Sequence, residues 1–285
     1  MSTANKADPY YYVPQPSHWP ITGSCALLLM AVGAASWFNA YAFGPWLVLA
    51  GFTLLVAMMF GWFGRVIDES GRHLYNKKVD LSFRWGMSWF IFSEVMFFAA
   101  FFGALFYIRN LSVPMLGDIE NKLLWPNYTS MWPTNGPYIA DAFTPMGAIG
   151  IPLLNTILLV SSGGTLTVAH HALKAGHRGA LKFWLFVTIV LGFMFLVFQA
   201  YEYTHAYSEL NLKLSTGVYG STFFMLTGFH GFHVTVGAIM LTVMLLRVFR
   251  GHFDAQHHFA FEAAAWYWHF VDVVWLLLFI LVYWL

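Results

Sequence analysis

Long apolar runs alternate with short polar segments along the whole chain. Seven stretches hold about 20 or more mostly apolar residues: 21–40, 44–63, 84–108, 149–169, 182–201, 219–246 and 264–285. A helix needs about 20 such residues to cross a bilayer. The runs are too long for membrane strands and lack their period-two alternation. The pattern therefore predicts seven transmembrane helices, with Pro45 and Pro152 in the first turns of the second and fourth. The charged segment 64–83 marks the best internal boundary, so that residues 1–83 hold two helices and residues 84–285 hold five.

Composition agrees with lipid as the main solvent. Of 285 residues, 59% are hydrophobic and 9% charged, against about 25% charged in a soluble domain. Aromatic residues make up 20% of the chain, in keeping with Trp and Tyr belts at membrane interfaces. A net charge of +1 argues against a nucleic-acid partner. A single cysteine, Cys25, excludes an internal disulfide framework.

Lys and Arg set the expected orientation. Eleven of the 14 lie in the N-terminal arm and in the segments around 64–84, 170–182 and 247–263; Arg109, Lys122 and Lys213 lie on the other side. The N-terminus is expected inside and the C-terminus outside. No cleavable signal peptide is evident in the polar, Pro- and Tyr-rich residues 1–20, which read as a surface arm. The long loop 110–148, rich in Pro and Trp, is expected to cap the bundle or pack over a partner. Its Asn127-Tyr128-Thr129 sequon reads as unmodified.

Five ionisable residues fall well inside apolar runs: Glu94, His230, His233, His269 and Asp272. Each costs about 2.5–3.5 kcal/mol on insertion scales and needs a reason to be there. Glu94 sits among Phe residues and is expected to be neutral, either handling protons or a lipid headgroup, or hydrogen-bonded to a neighbouring helix. His230 with His233, and His269 with Asp272, are three apart and share helix faces. A catalytic metal needs three converging ligands and open access, so interhelical hydrogen bonding is the expected role of these four. Histidine clusters at His170-His171 with His177, and His252 with His257-His258, raise a membrane di-iron desaturase as an alternative. Their spacing departs from the HxxxH and HxxHH boxes of that class. Glu202 and His205 form one Glu-x-x-His motif where di-iron bundles use two, and it falls at the edge of an apolar run. A transporter would show broken helices in paired halves; Gly163-Gly164 in the fourth helix more simply allows close packing.

Longer motifs carry a family resemblance. The run from His257-His258 through Glu262, Trp266, Trp268-His269 and Asp272 to Trp275 resembles the signature of cytochrome c oxidase subunit III. So do Ser93-Glu94-Val95-Met96-Phe97-Phe98, Pro152-Leu153-Leu154-Asn155-Thr156 with Ala169-His170-His171, Gly217-Val218-Tyr219-Gly220, Gly228-Phe229-His230-Gly231-Phe232-His233, and the arm Pro16-Ser17-His18-Trp19-Pro20. The third subunits of haem–copper quinol oxidases are the runner-up; they usually resemble only the five-helix region. The resemblance implies an all-α membrane protein whose two-helix and five-helix bundles form a V around a phospholipid-filled cleft. It implies no catalytic centre or metal in this chain, with haem and copper in partner subunits I and II and cytochrome c as donor to the complex. It implies a lipid-binding set of Trp62, Glu69, Glu94, Arg247 and Arg250, stabilisation of subunit I and support of proton uptake. The enlarged 110–148 loop looks bacterial, which places the chain in a cytoplasmic membrane. The chain departs from the family pattern at Arg72-His73 and Lys77-Lys78, where a His pair is common, and at Gly103, where Trp is common.

Overall fold

The computed structural model describes residues 14–139 and 142–285, and among them every regular element is helical. Among the described residues seven helices are long and apolar enough to cross a membrane, so the chain is a multi-pass membrane protein. They are α1 (Trp19–Phe38), α2 (Gly44–Gly71), α3 (Lys77–Tyr107), α6 (Ile151–Lys174), α7 (Arg178–Ser208), α8 (Val218–Phe249) and α9 (Phe259–Leu278). Two short helices, α4 (Val113–Leu116) and α5 (Ile119–Lys122), lie between α3 and α6. The chain ends in a π-helical turn over Phe279–Trp284. Pro45 and Pro152 occupy the first turns of α2 and α6, where their missing N–H is no loss.

Most helices run further than their apolar stretches. α2 continues to Gly71, α3 begins at Lys77, α7 extends to Ser208 and α8 to Phe249. Hydropathy marks the residues bathed in hydrocarbon, whereas the backbone ladder continues into the polar interface wherever no breaker intervenes. The arm expected over 1–20 ends at His18, because Pro20 falls in the first turn of α1; residues 1–13 lie outside the described residues.

The chain divides into two compact units, Met1–Phe83 and Arg84–Leu285. In the first, α1 and α2 form an antiparallel hairpin turned at Ala40, whose φ is 61°. At Gly33 and Gly51 the two backbones approach so closely that a Cβ would stand within 3 Å of the opposite helix. Cys25 is an exposed residue of α1.

The second unit is built around Trp268, Trp275, Phe195, Phe223 and Phe261, all fully buried. Lipid tails give apolar side chains little reason to prefer each other, so polar pairs and close packing hold membrane helices together. From α9, the Trp268 indole donates to Ser162 Oγ at 2.9 Å and that of Trp275 to Thr156 Oγ1 at 3.0 Å, both on α6. Thr165 and Thr188 join α6 to α7 at 2.8 Å, and Tyr203 and Thr227 join α7 to α8 at 2.7 Å. Arg84 pairs with Glu262 at 2.8 Å, tying α3 to α9. The Phe97, Phe98 and Phe101 rings of α3 meet Phe229, His233 and Phe270. The loop after α3 folds over the ends of α7 and α8: Thr144 N–H donates to Leu210 O, Tyr219 N–H to Thr134 O, and Trp132 and Phe143 lie against the Tyr219 ring.

Candidate functional site

The ionisable residues inside α3, α8 and α9 fall into separate arrangements. On α3, Glu94 Oε2 lies 2.8 Å from His233 Nε2 on α8. His233 Nδ1 lies 2.6 Å from the Phe229 carbonyl one turn back on its own helix. A carbonyl can only accept, so Nδ1 carries a proton, and one further proton is shared between Nε2 and Oε2. The pair is neutral overall whichever atom holds it. Phe97 and Phe98 flank the imidazole, so the proton sits between two groups in an apolar wall.

His230, three residues before His233, is buried but behaves differently. Its ring stacks on Trp275 at 5.2 Å and meets the edge of Phe195, and neither ring nitrogen has a hydrogen-bond partner among the described residues. No described residue therefore supplies the interhelical hydrogen bond expected for His230. The aromatic residues of α7 and α9 surround it, whereas α3 supplies a carboxyl to His233. On α9, His269 Nδ1 lies 3.5 Å from Asp272 Oδ2, and the Asp272 carboxylate faces Gly163 of α6 where a Cβ would clash. Among the described residues no three His, Cys, Asp or Glu side chains converge in a metal-binding arrangement.

Glu202, which the apolar pattern places at the edge of a run, is fully buried within the helix bundle. It accepts a 2.6 Å hydrogen bond from the Tyr283 hydroxyl and a 3.4 Å bond from the Gln199 amide. The signal in the sequence is the three-residue spacing of Gln199 and Glu202, which puts both on one face of α7. His205, its partner in the Glu-x-x-His motif, pairs with Glu209 at 3.2 Å instead.

The other site candidates lie at the Lys- and Arg-rich helix ends. In the first unit, Trp62 is half-exposed on α2 and Glu69 is held by Arg65 at 3.5 Å and the Tyr75 hydroxyl at 2.9 Å. In the second, α8 ends in a Schellman motif: His252 N–H donates to Arg247 O, Gly251 N–H to Val248 O, and Gly251 takes φ 75°. This turn folds the following loop back over Arg247, so that residue is only 7% exposed. Its guanidinium lies 4.4 Å above the Phe253 ring, and its Nε has no acceptor among the described residues. Arg178 fixes the same loop by donating to the Phe253 carbonyl at 3.1 Å. Arg250, at the end of α8, is exposed. In the loop, burial and then the cations of Arg247 and Arg250 hold the His252 imidazole below its ordinary range. The backbone N–H groups of His257 and Gln256 hold the Asp254 carboxyl below its own.

A model of the family described as cytochrome c oxidase subunit III matches residues 8–285. The cytochrome c oxidase subunit 3 of Oryctolagus cuniculus is 43% identical over 277 residues, 96% of each chain. That of Latimeria chalumnae is 44% identical over 284 residues, and that of Squalus acanthias 43%, each covering 99% of this chain and 98% of the relative.

Proposed function

The chain belongs to the cytochrome c oxidase subunit III family, and from that premise we propose that it acts as a lipid-holding, proton-supporting subunit without redox chemistry. As a subunit 3 it belongs to an oxidoreductase complex of the respiratory chain, assembled with the other oxidase subunits, and has no catalytic centre of its own. In this family haem and copper belong to other subunits. The finer assignments are that subunits I and II are the contacts and cytochrome c the electron donor. The membrane is a bacterial cytoplasmic one, with the N-terminus and the Lys- and Arg-rich ends inside.

One observation carries the lipid reading: Arg247 is buried, lies over Phe253 and makes no salt bridge to a carboxylate of the described residues. A cation so placed at the membrane interface favours an anionic group supplied from outside the chain, and a phospholipid phosphate is abundant at that depth. Arg250 is the second lipid contact proposed in this unit; in the first unit, taken by itself, Trp62 and Glu69 are the proposed lipid contacts. The Glu94–His233 contact supports the proton-handling part of this reading, since one proton bridging Oε2 and Nε2 places no net charge in the hydrocarbon.

Removing this chain from the assembled oxidase in mild detergent tests the reading. The optical spectrum should stay with the remaining subunits and the initial oxygen consumption should persist. Activity should then decline faster over repeated turnover. An immediate, complete loss of oxygen reduction, or haem bands in the separated chain, would overturn it.

A further inference from the structure

One face of the five-helix unit carries a polar group where hydrocarbon should be. On α9, His269, Val273 and Leu276 follow one another at helical spacing and turn away from the core; Val273 is 56% exposed and the His269 side chain 44%. Beside them on α6, Ser161, Gly164 and Thr167 are also exposed. His269 lies ten residues after the start of α9 at Phe259, and Gly164 ten residues before the end of α6 at Lys174. Each also lies five residues inside its apolar run, 264–285 or 149–169, so at 1.5 Å per residue both stand about 15 Å from the helix ends and inside the hydrocarbon layer.

The contacts His269 makes within the chain are long. Its Nδ1 is 3.5 Å from Asp272 Oδ2 and its Nε2 is 3.5 Å from Thr167 Oγ1. Asp272 Oδ1 is buried without a partner among the described residues. Polar groups within the hydrocarbon face protein or water rather than lipid tails. A phospholipid headgroup belongs at the polar helix ends, about 15 Å along α9 from His269, too far for a direct hydrogen bond. Gly164, one turn from Thr167, has no atom within 4 Å of where a Cβ would stand, so it leaves a notch open to the outside. Small and hydroxyl side chains of this kind let a second helix approach closely and bond across the contact. By contrast, the exposed side chains of α7, from Phe183 through Phe193 to Val197, are apolar and suit lipid tails.

We propose that the α6–α9 face centred on His269 and Gly164 is the docking surface for a transmembrane helix of another oxidase subunit, one that sets a hydrogen-bonding side chain opposite His269. The partner's source rests on the family reading; the choice of face rests on the geometry alone.

The test uses the whole complex, purified through a tag on a haem-bearing subunit. Gly164→Trp should lower the amount of this chain recovered with that subunit at least tenfold, whereas Val197→Trp on α7 should leave it unchanged. His269→Leu should reduce recovery and His269→Gln should largely restore it. Independently of any folding defect, a benzophenone amino acid at Val273 should cross-link on illumination to a transmembrane peptide of another oxidase subunit. Undiminished recovery of both Gly164→Trp and His269→Leu would overturn the proposal. So would cross-links from Val273 only to lipid or to residues 19–71 of this chain. If no oxidase subunit accompanied even the unaltered chain, the family-based function would fail instead.

Discussion

Glu94 and His233, 139 residues apart in sequence, share one proton across 2.8 Å between α3 and α8. The Phe229 carbonyl fixes the imidazole tautomer by accepting from Nδ1. Glu94→Gln keeps a donor opposite Nε2 and should preserve assembly and basal electron transfer. Glu94→Leu strands the His233 nitrogen in a nearly dry setting and should destabilise by about 1–3 kcal/mol. A hydrophobic carbodiimide, which attacks protonated carboxyls in apolar surroundings, should label Glu94 before Asp118 or Glu120. Mass spectrometry of the labelled chain checks this. First labelling at the loop acids would show that the proton does not reside in the pair, and loss of assembly in Glu94→Gln would show that an amide donor cannot replace it.

Gly192 lies beneath the Trp268 ring, where a Cβ would stand 2.6 Å from Cη2. The indole cannot move aside without giving up its hydrogen bond to Ser162 and its fully buried seat. Gly192→Ala should therefore cost about 1–3 kcal/mol by overpacking and lower the temperature at which the chain leaves the complex. Gly86→Ala on α3 meets nothing within 4 Å and should be neutral. Equal effects of the two substitutions would mean that the α7–α9 contact is not as tight as described.

The seven spans were legible because hydrocarbon demands long apolar runs, and that demand leaves a strong mark on sequence. Their ends were less legible, since α7 runs on to Ser208, and an apolar run does not show that Glu202 at its edge is fully buried beneath Tyr283. Partner choice was hidden for a different reason. Spacing shows that His230 and His233 lie near one face of α8, but only the rotation and depth of α3 and α9 decide that one meets a carboxyl and the other Trp275. The burial of Arg247 was likewise hidden, because it depends on the backward turn at Gly251.

Asp254 organises the loop that covers Arg247. Its Oδ1 accepts from Gln256 N–H at 2.8 Å and His257 N–H at 2.6 Å, and Oδ2 lies 3.2 Å from His257 Nδ1. These donors favour the carboxylate and lower its pKa. A depressed carboxylate contributes order that is fully present above the ordinary value of about 3.9 and is lost as pH falls through the folded value. Protection of the Gln256 and His257 amides, corrected for intrinsic exchange, should stay level from pH 8 to about 5 and collapse only below about 4. Asp254→Asn keeps an acceptor oxygen and should retain some of the protection at neutral pH; Asp254→Ala should lose it at every pH. Loss of protection already between pH 7 and 6 would point to the neighbouring histidines instead.

Arg247 tests whether the lipid reading or simple topology explains the cation at the end of α8. Its guanidinium rests on Phe253 and is covered by the loop, whereas an ordinary interface anchor would extend into water. A contact from that guanidinium to a phosphate is worth about 1.5–3 kcal/mol. Arg247→Ala should therefore lower the phospholipid that co-purifies with the complex, by roughly 10- to 150-fold in affinity at that site. The chain holds none of the oxygen chemistry, so initial oxygen consumption should be near normal while activity declines faster during sustained turnover. The same substitution removes one of the two cations near His252, whose imidazole should then titrate closer to its ordinary 6.5. Arg247→Lys should fall between the two, because an ammonium replaces the planar fork that meets phosphate and ring together. A full lipid complement and a normal activity lifetime in Arg247→Ala would leave Arg247 as an anchor of membrane orientation alone.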